Sequence, residues 1–207
     1  MLEPMHTMPR VYTSFLLTAL VFGSGSAKVN AQPDLKTDKG GVQSTAEERD
    51  GQHDFDFQFG SWKVHNRRLL HPLTGSNDWV EFDGTVVARP VWGGLANMDE
   101  FEADSPSGPI RGMTIRTYNP KSHEWSIYWA NQKNGVISLP PVVGKFKDGR
   151  GEFYDQEEFN GRTIFVRYLW LVPSVDTKTT RWEQAFSTDG GKTWETNWII
   201  EGMRIKE

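Results

Sequence analysis

The side chains with chemistry to offer stand two residues away from tryptophans or from one another. Asn66 and Arg68 follow Trp62 and Val64, Asn131 follows Trp129, Gln184 follows Trp182, and Thr196 lies between Trp194 and Trp198. In an extended chain alternate residues share one face. Asn66, Arg68, Trp129, Asn131, Trp182, Gln184 and Trp198 are therefore expected on apolar faces that carry a few polar groups. An aromatic wall beside an amide pair suits a flat or elongated apolar molecule with one polar end. Arg68 or Arg167 would meet a carboxylate on that end. The same tryptophans also serve as plain core, with the amides satisfying one another or buried water.

A second group belongs to acid–base chemistry. Arg167 is embedded in the run Ile164-Phe165-Val166-Arg167-Tyr168-Leu169-Trp170, which is apolar on both faces. It needs a partner, because an isolated buried charge is costly. Glu183 is the expected one if the two segments are neighbours, since carboxylate and guanidinium pair bidentately. An isomerase, cyclase or lyase working by proton transfer would draw on Glu183, Arg167, Tyr128 and Asn131. No residue is singled out as catalytic. Arg116 and Arg89 read either as weaker cases of the same kind, paired or meeting an anionic ligand, or as solvated faces, and Asp99-Glu100-Phe101-Glu102 as a half-exposed strand. His53, His65, His71 and His123 show no HxH or HExxH spacing, so no metal site is expected. Gly-x-Ser-x-Gly, P-loop and dinucleotide fingerprints are missing from the sequence, which leaves hydrolase, kinase and dehydrogenase readings without support and implies no cofactor.

Composition narrows the partners. There is no cysteine, which excludes disulfides, zinc–thiolate sites and thiol catalysis. The 23 Lys and Arg against 27 Asp and Glu give a net charge of −4 without a basic stripe, so nucleic acid is not an expected partner. Nine tryptophans, many on alternating segments, imply a β domain with an aromatic interior.

Those segments must position the candidate residues. Period-two alternation predicts strands at about 60–70, 79–89, 95–103, 110–118, 124–131, 142–147, 151–158, 162–171, 180–187 and 194–203. Asp148-Gly149 and Asn160-Gly161 are two-residue hairpin signals. Helix is expected only as a short piece near Asp50–Phe57. The run Ser187-Thr188-Asp189-Gly190-Gly191-Lys192-Thr193-Trp194 reads as a turn, with Asp189 bonding its own backbone and the glycines supplying positive φ. If Phe186 faces Trp194, then Gln184 faces Thr196 and Trp182 faces Trp198, leaving Arg181, Glu183, Asn197 and Glu201 on the other face. Consecutive short strands joined by tight turns most economically close on themselves and remove their edges. The expected fold is all-β, an antiparallel meander closed into a barrel of about eight to ten strands.

The N-terminal 31 residues read as a signal peptide, with Arg10, the apolar stretch Phe15–Phe22 and the small-residue site Val29-Asn30-Ala31. Cleavage after Ala31 would give a periplasmic or extracellular protein with no integral membrane segment in its mature form. Residues 32–52 are polar and aperiodic and read as a disordered tether, leaving residues 53–207 as one domain.

The turn Ser187–Trp194 matches the Asp-box pattern that sialidases carry once per propeller blade. Here it occurs once, as a folding element of a different β protein. Gly60-Ser61-Trp62 resembles the Gly-x-Trp that lipocalins and other calycins carry ahead of the first strand, where the Trp plugs one end of the barrel. Asp54-Phe55-Asp56-Phe57, Glu81-Phe82-Asp83-Gly84-Thr85, Gly93-Gly94-Leu95-Ala96-Asn97, Trp125–Ala130 and Arg181–Ser187 resemble a family of bacterial lipocalin-like domains of unknown function. That resemblance covers residues 53–204 and implies a calycin-type barrel without supplying a reaction. Haem-binding calycins related to nitrobindin have a longer Gly-rich signature after the Trp, from which Lys63-Val64-His65-Asn66-Arg67-Arg68 departs. Three functions are open: a binder of a small hydrophobic or amphipathic molecule, an acid–base enzyme acting inside the barrel, and a solid-core structural domain.

Overall fold

Two hairpin turns set the rhythm of the chain. Asp148 and Gly149 adopt φ of 51° and 76°, and Asn160 and Gly161 φ of 51° and 73°, the paired left-handed geometry that twists two strands together. The computed structural model describes residues 50–172 and 178–205, all within the unit Ala46–Glu207. The expected signal peptide and nearly all of the expected tether lie outside the described residues.

A 3-10 turn at Asp56–Gln58 precedes ten strands: β1 (Gly60–Leu69), β2 (Trp79–Val91), β3 (Ala96–Ser105), β4 (Gly108–Asn119), β5 (Glu124–Asn131), β6 (Val142–Lys147), β7 (Arg150–Phe159), β8 (Arg162–Leu171), β9 (Thr179–Ser187) and β10 (Glu195–Arg204). Each pairs antiparallel with the next, and β10 returns to β1, so the meander closes into a barrel as the alternation predicts. Closure leaves no strand without a neighbour on either side.

One end is capped from the N-terminal side. Phe55 is fully buried and meets the rings of Trp125, Phe146 and Trp170 edge-on at 5.0–5.2 Å between centroids. The backbone that carries it is tied down: Trp125 Nε1 donates to the Gly51 carbonyl (2.9 Å) and Tyr118 Oη to Asp50 (2.7 Å). Trp62 Nε1 donates to the Gln58 carbonyl at 2.7 Å. Arg204 lies over the Trp62 ring at 4.2 Å and donates to the carbonyls of Phe57 and Phe59. The Gly-x-Trp tryptophan thus helps fasten the capped end.

The 187–194 turn is held by one carboxylate. Asp189 accepts from the backbone N–H of Lys192 and Thr193 and from the hydroxyls of Ser187 and Thr193, and these bonds hold its pKa well below the usual range. The strands it joins depart from the expected register. Phe186 faces Glu195, a bulge at Asn197 intervenes, and Gln184 then faces Trp198 while Trp182 faces Ile200. The bulge restores Trp198 to the inner face, where its ring meets that of Trp182 at 5.7 Å. Asn197, expected outside, is buried, and Trp194 turns outward against Tyr154.

The wall is thinnest beside β6. The β5–β6 ladder consists of Trp125–Gly144, Ser126–Val143 and Ile127–Val142, and the β6–β7 ladder ends at Val143–Tyr154 although β7 runs on to Phe159. The connection after β5 folds back over this seam, with Ile137 bridged to Ala130 and Ser138 N–H donating to the Trp129 carbonyl (2.8 Å). At Gly144 the strands approach so closely that a Cβ would lie 1.9 Å from the Glu152 carbonyl oxygen. That obstacle is backbone and cannot rotate away. Gly144→Ala is expected to destabilise the fold by about 1–3 kcal/mol, measured by chemical denaturation, and an unchanged midpoint would refute this packing.

Candidate functional site

The inner face of the barrel follows from register. Trp62, Val64 and Arg68 on β1, Trp129 on β5, Trp182 and Gln184 on β9, and Trp198 on β10 all line one cavity of about 300 Å³. Gly112 on β4 makes room for one wall: a Cβ there would lie 2.0 Å from the Trp129 ring. The Trp198 ring is held on three sides. Its Nε1 donates to Asn66 Oδ1 (3.1 Å), the Arg68 guanidinium lies 4.6 Å above it, and Phe101 meets it at 6.0 Å. Asn66 is fully buried and positions the indole without lining the cavity itself.

Polar groups enter this aromatic lining in three places. Near the capped end Arg116 pairs with Asp99 at 2.6 Å, donates to Asn97 Oδ1 (3.0 Å) and lies over the Phe55 and Trp170 rings. This pair is buried, which decides for Arg116 between the paired and the solvated reading, because its partner arrives from the neighbouring strand β3. Toward the other end stands Arg68, which enters no ion pair among the described residues. On the far wall, β7 turns Asp155 and Glu157 inward, opposite Val166 and Ile164. Burial raises the pKa of both, and the charge of Asp155 raises that of Glu157 further. Tyr168 on β8 lines the same space. Its burial and the two carboxylates raise its pKa, so it stays a neutral phenol.

No described protein family matches the sequence, and no curated protein does. Among solved structures, the S-type phycobiliprotein lyase CPES from Guillardia theta is similar over 77% of this chain and 95% of its own, with a TM-score of 0.51 at 12% identity. A de novo designed fluorescence-activating β-barrel aligns over 72% of this chain and 95% of its own, with a TM-score of 0.38 at 14% identity. The lyase likeness places the fold among lipocalin-like barrels.

Several residues expected at the site lie elsewhere. Tyr128 faces Ile115 on the outer side of β5, since Trp129 takes the inner position. Asn131 ends its strand and accepts the Lys133 N–H in the turn (2.8 Å). Arg167 and Glu183 are on the outer surface and do not pair. Arg167 faces Ala185 and stacks on Trp194 at 4.7 Å, whereas Glu183 accepts from Arg181 at 2.7 Å. Asp155 and Glu157 were missed because Tyr154-Asp155-Gln156-Glu157-Glu158 has no apolar alternation. The signal lay upstream, in Gly151 and Phe153, whose parity continues to both carboxylates.

A carboxyl with a raised folded pKa binds its proton more tightly folded than unfolded, so it adds stability when protonated and loses it as pH rises. Glu157→Gln is therefore expected to raise the denaturation midpoint at pH 7, with the gain fading below about pH 4, under the ordinary glutamate value. Equal midpoints for variant and parent at both pH values would contradict the inward placement of Glu157.

Proposed function

We propose that this protein binds a small amphipathic molecule inside its barrel, with a flat or elongated apolar body against Trp129, Trp182 and Trp198 and a polar end beside Arg68, Asp155 and Glu157. The observation that carries this reading is the cavity itself. Its volume of about 300 Å³ lies at the lower end of small-molecule sites, and it joins an aromatic lining to a few polar groups. A filled core would leave no such space. We also propose membership of the bacterial lipocalin-like group named above, and export with cleavage after Ala31. The intact mass of protein recovered from its host tests the cleavage, and retention of residues 1–31 refutes it.

Two tryptophans separate wall from core. Trp125 is fully buried among Phe55 and Tyr118, and Trp125→Ala is expected to cost about 3–5 kcal/mol. Trp198 faces the cavity, so Trp198→Ala should cost clearly less and abolish ligand retention. Native mass spectrometry of protein from its own host gives the readout. A small molecule carried by the parent and lost from the Trp198 variant supports binding. A parent that carries nothing, and a Trp198 variant as unstable as the Trp125 one, overturn it.

One observation favours a second reading, acid–base catalysis. Asp155 and Glu157 are cavity carboxyls whose pKa burial shifts upward, the direction in which a general acid or base is tuned. The phycobiliprotein lyase likeness supports an enzymatic role only at the level of shared architecture. Catalysis would turn small molecules of a host extract into new species over time, and Glu157→Gln would stop it. A binder depletes one species and forms none.

A further inference from the structure

The barrel interior treats its inward carboxylates in two different ways. Asp99 is neutralised by Arg116 at 2.6 Å, with Asn97 completing the contact. Asp155 and Glu157 have no such partner. Neither enters an ion pair among the described residues, and the one hydrogen bond Asp155 accepts comes from the N–H of its own neighbour Gln156 at 2.5 Å. A lone, partly desolvated carboxylate is unfavourable, and two on one strand face repel each other as well. The fold supplies a guanidinium to one inward carboxylate and withholds it from two.

A second, independent feature points the same way. Tyr168 is half-buried and opens onto the cavity, and its hydroxyl makes no hydrogen bond among the described residues, which leaves it free to meet a ligand. Arg68, the one cavity cation outside the Asp99 pair among the described residues, is three strands round the ring from Tyr168, on β1, and lies over Trp198. The remaining neighbours, Val142 on β6, Ser138 in the β5–β6 connection, and Gln184 and Phe186 on β9, bring no charge. The wall therefore presents two acceptors and a phenol around a space with no positive charge of its own.

We propose that Asp155, Glu157 and Tyr168 form a cation-receiving subsite, so that the molecule held in this cavity carries a protonated amine on its aromatic or apolar body. The inference rests on the cavity being a ligand site and names the chemistry of that ligand. An ammonium there donates to both carboxylates and cancels one of their two charges, accepts nothing, and lies near ring faces that attract cations. A metal ion is the poorer match: among the described residues no cluster of three or more His, Cys, Asp or Glu gathers to ligate one. Two carboxylates and a phenol suit an ammonium with three N–H donors.

Protonation sets the working range. Burial keeps both carboxyls protonated to higher pH than ordinary carboxyls, the charge of Asp155 raises Glu157 further, and only ionised carboxylates attract the amine. Affinity for an amine should then rise with pH through that raised range, while a neutral molecule of the same shape shows no such slope.

The test uses three probes with one naphthalene body: 1-naphthylmethylamine, 1-naphthylmethanol and 1-naphthoic acid. Their binding to the full chain is titrated calorimetrically and by quenching of tryptophan emission, at pH 4.5 and 7.5. At pH 7.5 the amine is expected to bind at least about tenfold tighter than the alcohol. In the double variant Asp155→Asn, Glu157→Gln the amine falls to the level of the alcohol, and its pH dependence disappears. A far-ultraviolet circular dichroism spectrum and an unliganded tryptophan emission spectrum unchanged from the parent show that the variant is folded. An amine no tighter than the alcohol, or a preference that survives in the double variant, overturns the subsite and leaves the cavity reading standing. Failure of all three probes to bind the parent overturns the cavity reading, and this inference with it.

Discussion

The packing of Phe55 against Trp125, Phe146 and Trp170 gives this barrel a floor. Ten strands make a tube wider than the eight-stranded one that side chains just fill, so its ends must be dealt with separately. Edge-on contacts set the positive rim of one ring against the negative face of another, and four such rings interlock where four aliphatic side chains would slide. The backbone bearing Phe55 is tied to the wall by Trp125, Tyr118 and Trp62, and Arg204 links it to the last strand. First and last elements of the domain thus meet at one place. With that end filled, the space above becomes a cup, and its polar groups acquire a direction.

That direction is visible in the charge pattern. The buried Arg116–Asp99 pair stands low, beside the Phe55 and Trp170 rings, where an unpaired charge would be most unfavourable. The unpaired groups, Arg68, Asp155 and Glu157, stand higher, where water can still reach them. Stability and the proposed recognition thereby fall at different heights of one lumen. Sites that keep unsatisfied groups commonly cost some stability, and here the cost falls where hydration limits it.

Strands and turns were readable in the sequence because their signals are local. Asp148-Gly149 and Asn160-Gly161 adopt the positive φ values that their residue types permit, and the period-two runs became the ten strands. What escaped was decided between strands. The bulge at Asn197 cannot be seen in β10 alone, because it exists only as a mismatch with β9. Arg116 stood open between a solvated and a paired reading until β3 placed Asp99 beside it, and Arg167 looked paired with Glu183 until β8 and β9 met in a register that sets Arg167 opposite Ala185. Asp155 and Glu157 were hidden by polar neighbours on both sides. An inner face that turns polar toward its open end erases the alternation that would reveal it.

The short ladder between β5 and β6 gives the molecule a kinetic property. Its capacity is fixed by rings that cannot move without cost. For a ligand held as proposed, the rate of exchange would depend instead on residues 132–141, the connection over the short ladder, which carries the exposed side chains Val136, Ile137 and Leu139 and contributes Ser138 and Pro140 to the cavity. Loop motions run from nanoseconds to microseconds, far faster than the unfolding of a closed barrel. For such a ligand, residence time would be uncoupled from strength of packing: the same rigid cup would hold its contents briefly or long according to how often one stitched panel of its wall opened.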